Sequence, residues 1–571
     1  MERKTRLWLG GCSALAVLFV VALVAAALAL RSAAVPARSL LVLELTGAIE
    51  EQVSASALER LLQGRPDTIL GLRSLLRSAA RDPRVSALLV RVSGLRVGMA
   101  KADELREQIR RFQESGKPAA AFLEIGDTLD YYVASACKQV YVAPEGLLVL
   151  RGVLADALFL RGTLDKLRIQ PDFVAVGRYK TAPETFTRSD MSPAQREVVN
   201  ALLDQIYARL RDGVAESRGL APKRVETLID RAVFRGPAAV EADLADAALY
   251  EDEAVKRLGE QAHGELRRLA HRDYRRQVLA ERGGQRVAVV YAAGEIVPGR
   301  GDPVFGGAPL AASETLAEAL REIREDAGVR AVVLRIDSPG GSSTAADTIW
   351  REVALTREKK PVVVSMSDLA ASGGYWIAAP ASRLVAGPGT LTGSIGAWAG
   401  KFNLQGLYQW IGVRREILQR GDNADLFSDY RAFSPAQRAL LRRQLEATYD
   451  EFIRRVASGR GMDPAAVKAV AEGRVWTGEQ ARARGLVDVL GGFDRALDEA
   501  RNLAGIEPDR PLRLEFYPRE RGLLQSLLSS DLSRVASALQ RLGAWLETLS
   551  RVLEQSGRIQ AREAPPPPRV R

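Results

Sequence analysis

The sequence predicts an α/β protein: two tandem domains of parallel strands and crossover helices, preceded by one transmembrane helix. Three observations carry this prediction. They are an apolar stretch near the N-terminus, an internal repeat at a spacing of about 244 residues, and apolar strand-like runs that alternate with amphipathic segments. At 571 residues, 47% hydrophobic and 26% charged, the chain is long enough for two or three domains with large cores.

The first element is the apolar stretch at residues 7–30, which contains no charged side chain. Its length of about 36 Å as a helix exceeds the ~30 Å hydrocarbon layer of a membrane. Three basic residues precede it, which favours a cytoplasmic N-terminus and an exported remainder. Small residues follow it, as in a cleavable signal peptide, but the run is longer than a typical signal core. We therefore expect residues 1–37 to form a cytoplasmic stub and an uncleaved anchor.

The internal repeat defines the next elements. Residues 86–92 match residues 330–336, and further matches keep nearly the same spacing through the helix that starts Ser-Pro-Ala-Gln-Arg in each copy. The strand-like runs are rich in Val, Leu and Ile without clean alternation, which is typical of parallel sheets buried on both faces. We predict an N-terminal domain at residues 38–255 and a C-terminal domain at residues 285–510. A charged helical connector at residues 256–284 is expected to join them.

The last element is the segment at residues 511–571. Leucines recur at helical spacing between positions 523 and 553, with arginines beside them, and a Pro-rich tail follows. The pattern predicts an amphipathic helix. Such a helix could lie on the membrane surface, pack against another subunit or cap the domain, and the sequence leaves these alternatives open.

A Ser-Gly-Gly turn after an apolar strand is the most informative chemical feature. Ser372 follows the strand and precedes two glycines, a sequence that can expose a hydroxyl and leave the next N–H free. A Ser-His-Asp triad is not expected, because the two histidines, His263 and His271, lie in an Arg-rich stretch that reads as solvated. A base other than histidine is therefore needed, and lysine is the known variant.

Lys180 is the candidate base. The chain has twelve lysines against sixty-nine arginines, so a retained lysine points to a need for an amine that can lose its proton. The two copies have diverged in a complementary way. The first copy has Thr128 where the second has Ser372, and the second copy has no lysine near Asp422 to match Lys180. The sequence thus predicts one composite site that takes its amine from the first domain and its hydroxyl from the second.

At these residues the chain resembles signal peptide peptidase A in its long, duplicated form. This is a family of membrane-anchored serine peptidases with the Clp-protease/crotonase-like fold, and the resemblance covers most of residues 1–510. It implies Ser372 as nucleophile, Lys180 as general base and Ser394 as a residue that positions the amine. It further implies remnant signal peptides as substrates. A bowl-like homo-oligomer, a tetramer, is implied on the periplasmic face of the inner membrane, in contact with lipid.

Acyl transfer also needs two backbone donors for the oxyanion. The N–H of Gly373, directly after Ser372, is the expected first donor. By resemblance to the Clp-type fold, Gly341 in the turn Ser-Pro-Gly-Gly is the expected second donor. This turn lacks the Gly-Lys-Ser/Thr ending of a phosphate-binding loop.

Two other functions remain as alternatives: a non-catalytic membrane scaffold, and a crotonase-like acyl-CoA enzyme, which would use carboxylates and work in the cytosol. The net charge of +11 comes with no basic stripe interleaved with aromatics, so a nucleic-acid partner is not expected. Neither histidine has metal-ligand spacing, and we expect no metal and no organic cofactor.

Overall fold

A computed structural model describes residues 35–52, 66–277, 283–301 and 309–519. Within these ranges no helix combines the length and the apolar composition needed to cross a membrane. The predicted anchor at residues 7–30 lies outside the described residues, as does the predicted amphipathic helix beyond residue 519. Both stay predictions.

The first half of the chain alternates strands and helices. Its strands are β1 Ser39–Ala48, β2 Val85–Arg96, β3 Ala119–Gly126, β4 Gln139–Val149, β5 Gln170–Val176, β6 Val233–Arg235, β7 Ala247–Ala248 and β8 Arg267–Ala270. Its helices are α1 Ile69–Arg81, α2 Met99–Glu114, α3 Thr128–Ala134, α4 Arg161–Lys166, α5 Glu184–Thr187, α6 Pro193–Arg218, α7 Pro222–Arg231, α8 Gly236–Glu241, α9 Glu251–Gln261 and α10 His271–Gln277.

The second half follows a similar order, with two extra short strands after its first strand and two strands in the place of β4. Its strands are β9 Gln285–Ala293, β10 Glu295–Val297, β11 Leu310–Ala312, β12 Val329–Ser338, β13 Val362–Ala371, β14 Arg383–Ala386, β15 Leu391–Gly393, β16 Ala397–Asn403, β17 Val475–Thr477, β18 Val489–Leu490 and β19 Leu512–Tyr517. Its helices are α11 Ser313–Glu325, α12 Ser343–Lys359, α13 Gly373–Ala378, α14 Gln405–Trp410, α15 Pro435–Arg460, α16 Pro464–Val470, α17 Gly478–Ala483 and α18 Phe493–Leu503.

Each half contains one large mixed sheet. The strand orders are β6-β4-β3-β2-β1-β8 and β17-β15-β13-β12-β9-β19, and the pairings are parallel except β4 with β6 and β15 with β17. β12 and β13 are buried along almost their whole length, which explains why their sequences are apolar runs without alternation. The prediction of a duplicated α/β fold is confirmed at this level.

The two longest helices show how closely the halves repeat each other. α6 and α15 both begin after a serine, Ser192 and Ser434, whose hydroxyl accepts a hydrogen bond of 3.1 Å from the backbone N–H three residues later. Both have proline at their first position, and both end at a glycine, Gly219 and Gly461, in the left-handed conformation. Identical start and stop signals give two helices of 26 residues each.

Both sheets extend beyond the predicted domain boundaries. β8 lies inside the segment predicted as a helical connector, residues 256–284, and pairs in parallel with β1. β19 lies beyond residue 510 and pairs in parallel with β9. The prediction of a wholly helical connector is therefore wrong at β8. The reason is that edge strands carry charged residues, and of the four residues of β8 only Leu269 is buried.

One cluster of the apolar core spans both halves. This cluster contains Leu72 and Leu76 of α1 together with Val289, Val333 and Val363 from one face of the second sheet. A second connection is the antiparallel pairing of β5 with β16, in register over seven residue pairs. The first half thus supplies the packing surface for the strands β12 and β13, whose carboxyl ends carry the chemistry described next.

Candidate active site

Ser372 lies in a sharp turn between β13 and α13. Its backbone has φ 54° and ψ −118°, a combination that a residue with a side chain adopts only under strain. The turn is held by hydrogen bonds from Ser372 N to Gly393 O (2.8 Å) and from Trp376 N to Ser372 O (2.9 Å). The turn needs a glycine at position 374, because a Cβ there would lie only 2.9 Å from Ser338 O. The strained turn presents the Ser372 hydroxyl at the carboxyl end of the strand.

The structure brings Lys180 of the first half to this hydroxyl. Nζ of Lys180 lies 3.1 Å from Oγ of Ser372, and 2.9 Å from both the carbonyl oxygen and Oγ of Ser394. Ser372 and Ser394 follow Lys180 in the chain by 192 and 214 positions, yet the three side chains form one hydrogen-bonded group. The structure thus brings together a lysine of the first half and two serines of the second half.

The environment of Lys180 changes its acidity. The side chain is buried, with 7% of the residue exposed, and its three polar neighbours given above are neutral oxygens. Burial penalises the ammonium form and lowers the pKa of Lys180 from 10.5 to about 8. Roughly a tenth of the Lys180 side chains are therefore neutral amines at pH 7, and about half at pH 8, and that form can accept a proton.

Three hydroxyl residues, Thr390, Thr392 and Ser394, lie close together in the chain, and of these Ser394 contacts the Lys180 amine. Thr390 and Thr392 instead donate to carbonyl oxygens of β13, those of Ser367 and Ala370, each at 2.7 Å. Ser394 has φ 52°, so it also occupies the left-handed region, and its N–H donates to the carbonyl of Arg474 at 2.7 Å. Its strained backbone turns both of its oxygens towards Lys180.

A short turn at residues 472–474, which was not predicted from the sequence, holds the loop that carries Lys180. The carbonyl of Glu472 accepts a 2.7 Å hydrogen bond from Tyr179 N, and the Glu472 carboxylate accepts one of 3.1 Å from Arg178 N. Gly473 donates to Ile395 O at 2.7 Å and so links the turn to the Ser394 segment. The Glu-Gly pair that starts this turn was its only sequence signal.

Gly473→Ala is expected to lower kcat/KM about 100-fold, because a misplacement of about 1 Å can cost that much. A Cβ at position 473 would lie 2.5 Å from Lys180 N and 2.7 Å from its Cα and Cβ, so Lys180 must move. The matched control is Gly461→Ala, since Gly461 has a similar φ of 63° and no atom within 4 Å of the added Cβ. Steady-state cleavage rates of both variants check this, and equal rates would contradict it.

The Gly340-Gly341 turn packs against the Ser372 turn. A Cβ on Gly340 would lie 2.6 Å from Gly373 N, and a Cβ on Gly373 would lie 3.3 Å from Gly341 N. Both turn glycines have positive φ, of 100° and 153°. Within the described residues, neither the N–H of Gly341 nor that of Gly373 donates a hydrogen bond. Two free backbone donors therefore stand beside the Ser372 hydroxyl.

The corresponding place in the first half is filled. Thr128, which matches Ser372 in the repeat, accepts a hydrogen bond of 2.8 Å from Arg151 N. The N–H groups of Gly94 and Leu95, at the end of β2, donate to the carboxylate of Asp130 at 2.9 and 2.8 Å. In the first half, the Asp130 carboxylate thus accepts hydrogen bonds from the backbone N–H groups at the carboxyl end of the sheet. In the second half, the N–H groups of Gly341 and Gly373 are free within the part of the chain that the structure describes.

The prediction that both histidines are solvated is wrong for His271. This side chain is buried; its Nδ1 accepts from Glu44 N at 3.4 Å, and its Nε2 lies 3.0 Å from the Asp67 carboxylate. It fixes α10 to the first sheet and has no contact with Ser372. The surrounding arginines made the segment look solvated, although only one side of it faces water.

Two regions of the chain match one known protein family. A profile of Peptidase family S49 matches the chain twice, at residues 111–265 and 354–507. The chain belongs to peptidase family S49. The first match contains Lys180 and the second contains Ser372 and Ser394, which confirms the duplication, and an S49 peptidase is a serine peptidase.

Curated relatives cover most of the chain. It is 34% identical to "Serine protease SPPA, chloroplastic" of Arabidopsis thaliana over 90% of this chain and 76% of that protein. It is 32% identical to "Protease 4" of Salmonella typhi over 88% of this chain and 84% of that protein. A solved structure described as a membrane-bound stomatin-specific protease with a bound substrate peptide is 18% identical over 43% of this chain and 97% of that chain, with a TM-score of only 0.27.

Proposed function

We propose that this S49 peptidase is a membrane-anchored endopeptidase with a Ser-Lys dyad, which cuts remnant signal peptides and other apolar peptides through an acyl-enzyme. The single observation that carries the proposal is the 3.1 Å approach of Lys180 Nζ to Ser372 Oγ. We propose that the fold is of the Clp/crotonase type. Residues from both halves pack around β12 and β13 and form the scaffold of the site.

The hydrogen bonds of the amine support Lys180 as the general base. A neutral amine has two N–H donors and one lone pair. Ser394 can accept both N–H bonds, one at its carbonyl and one at Oγ, so the lone pair is left for the hydroxyl proton of Ser372. As Oγ attacks the peptide carbonyl, its proton passes to Nζ; the resulting ammonium then protonates the leaving amine. A water molecule repeats the sequence to release the acyl group.

The free backbone donors support an oxyanion site. The carbonyl oxygen of the substrate gains negative charge as the tetrahedral intermediate forms, and preorganised N–H groups stabilise that charge. Gly373 and Gly341 are proposed as the two donors, because both N–H groups are unused and stand beside Ser372. The amide hydrogens are fixed by the glycine conformations and need no reorganisation during the reaction.

Aromatic residues near the dyad support apolar peptides as substrates. β16 begins three residues after Ser394 and carries Trp398 and Phe402; β5 ends four residues before Lys180 and carries Phe173. The Phe173 ring packs against both, with centroids 5.7 and 5.2 Å apart, and Trp398 stays 41% exposed. Such a surface suits the hydrophobic core of a signal peptide.

The proposal also includes where the protein lies in the cell and how its subunits assemble. Residues 7–30 would anchor the chain in the inner membrane, with the catalytic halves on the periplasmic side. A homo-oligomer, a tetramer by resemblance, would then stand on the membrane surface next to its lipid. Size measurements on the full chain in detergent test the assembly, and a monomeric active enzyme would contradict it.

The pH dependence of kcat/KM is expected to show one ascending limb with a midpoint near pH 8. Below the lowered pKa of about 8, Lys180 is an ammonium ion and cannot accept a proton, so kcat/KM rises tenfold per pH unit. Above it the amine is neutral and the profile is level. Initial rates at low substrate concentration across this range measure it. A limb with a midpoint near 4 to 5 would instead indicate a carboxylate base.

The proposed substrate class is tested with the full chain in detergent and two peptides of equal length, one resembling a signal peptide and one polar. Fragments are identified by mass spectrometry. We expect internal cleavage of the apolar peptide with the larger kcat/KM. Equal cleavage of both peptides would contradict the substrate class, and no cleavage by a folded, assembled protein would contradict the peptidase assignment of this site.

A further inference from the structure

Of the lysines in the described residues, two are buried, Lys180 and Lys101, at 7% and 6% exposure. The proposed mechanism uses the first and leaves the second unexplained. Lys101 belongs to the first turn of α2, in the first half, but its ammonium group reaches the second half. Its Nζ donates to Asp337 Oδ2 at 2.7 Å and lies 3.7 Å from the carboxylate of Asp368. A second buried lysine thus crosses from one half to the other.

The two aspartates stand at equivalent places in neighbouring strands. Asp337 is in β12, four residues before Gly341; Asp368 is in β13, four residues before Ser372. Asp337 therefore precedes a proposed oxyanion donor, and Asp368 precedes the proposed nucleophile, by the same number of residues. Lys101 lies between the two strands at the point where they diverge into the glycine turn and the serine turn.

The pairing of β12 with β13 is irregular at this point. Ile336 pairs with Met366 and Ser338 pairs with Ala370, so one residue of β12 faces three residues of β13. This is a bulge, a feature that redirects the end of a strand. Asp337 accepts a hydrogen bond of 3.1 Å from the N–H of Leu369 inside the bulge.

The first half holds the bulge from outside. Helix α2 has no capping side chain of its own, and the Asp368 carboxylate takes that role: it accepts from Gly98 N at 2.8 Å and from Lys101 N at 3.0 Å. The negative charge at a helix N-terminus is itself favourable. Backbone and side chain of Lys101 therefore bind the two aspartates on either side of the bulge.

We propose that Lys101 is a positioning residue for the peptidase reaction, which, through Asp337 and Asp368, fixes the β13 bulge and so the relative placement of the Ser372 turn and the Gly341 turn. The inference rests on the proposed function of Ser372. Without the ammonium group, the partly buried carboxylates of Asp337 and Asp368 lose their common counter-ion, and like charges at a partly desolvated site repel each other. The strand ends then separate, and the oxyanion donors leave their alignment with the hydroxyl.

The test compares Lys101→Met with Arg73→Met in the full chain. Arg73 is the matched control because its buried guanidinium also crosses between the halves, to Asp494, but it pairs with α18 and not with β12 or β13. We expect Lys101→Met to lower kcat about 100-fold, the scale of a lost oxyanion donor, and to leave KM within about twofold. Affinity for a peptide boronate, which forms a tetrahedral adduct, should fall in parallel with kcat.

Arg73→Met is expected to keep the wild-type kcat and boronate affinity at a temperature where it is folded. If Lys101→Met does not fold, Asp337→Asn takes its place. Its amide oxygen can keep the Leu369 hydrogen bond, but its NH2 group faces the Lys101 ammonium, so the link from Lys101 to β12 is lost and a similar fall in kcat is expected. A wild-type kcat and boronate affinity in a folded variant at either position would overturn the inference.

Ser372→Ala in the same assay separates this inference from the proposed function. Loss of activity in Ser372→Ala with wild-type kcat in Lys101→Met would overturn only the positioning role. Retained activity in Ser372→Ala would overturn both, because the bulge would then aim a residue that is not the nucleophile. A fall in kcat without a fall in boronate affinity would also count against the inference, since the oxyanion donors would still be aligned.

Discussion

Replacing Ser372 by alanine is expected to reduce kcat/KM for peptide cleavage by on the order of 10⁴-fold or more, the scale seen when a serine nucleophile is removed. The variant keeps the oxyanion donors and the amine but has no atom that can form the acyl-enzyme. The backbone strain at φ 54° is unchanged in kind, because alanine also carries a Cβ. Steady-state rates with the signal-peptide-like substrate, alongside a thermal melt, measure the effect.

The matched control for this prediction is Thr128→Ala, at the equivalent position of the first half. Thr128 loses its γ-methyl group and its hydroxyl, which accepts one backbone hydrogen bond at 2.8 Å. We expect a loss of about 1 kcal/mol in the free energy of unfolding and an unchanged kcat. Activity that survives Ser372→Ala but not Thr128→Ala would move the nucleophile to the first half.

Lys180→Met is expected to lower kcat/KM by roughly 10³- to 10⁴-fold, because general-base assistance contributes on the order of 10²–10⁴ and the nucleophile also loses its hydrogen-bonded partner. Methionine is unbranched and apolar, so it can fill the buried space of the lysine chain. The variant should also lose the ascending limb near pH 8 that the pKa of Lys180 produces. Rates across the pH range and a thermal melt report both effects.

Lys117→Met provides the control for that substitution. Lys117 is likewise partly buried, donates to two backbone carbonyl oxygens, of Ala79 and Asp82, at 2.8 and 2.6 Å, and has a pKa that burial lowers. Like Lys180 it has a pKa lowered by burial, but its hydrogen-bond partners are carbonyl oxygens and not hydroxyls. Its variant should keep the wild-type kcat and pH profile; an equal loss of activity in both variants would assign the effect to stability.

The repeat made much of the architecture predictable. Two copies with matched start and stop signals, such as Ser192 and Ser434 before the long helices, fix the order of the elements in both halves. The complementary losses at Thr128 and near Asp422 pointed to a site shared between the halves. The distances between Lys180, Ser372 and Ser394 agree with that expectation, although the catalytic roles stay proposals.

The features that the sequence did not reveal depend on long-range contacts. β8 and β19 are short, charged edge strands that become strands only because β1 and β9 offer an open edge. Gly473 matters because its Cα faces the backbone of Lys180, 293 residues earlier in the chain. Lys101 and Asp368 form a helix cap between two halves, and no local pattern indicates a cap whose side chain comes from another part of the chain.

The proposed mechanism requires that an amine from the first half activates a hydroxyl from the second. The most direct test is the rate at which a fluorophosphonate, which reacts with activated serines, labels the full chain and Lys180→Met, with the labelled residue identified by mass spectrometry. We expect labelling at Ser372, with a rate that rises with pH towards about 8 in the wild type and falls by at least about 100-fold in Lys180→Met. Labelling at another residue, or equal rates in the two proteins, would contradict it.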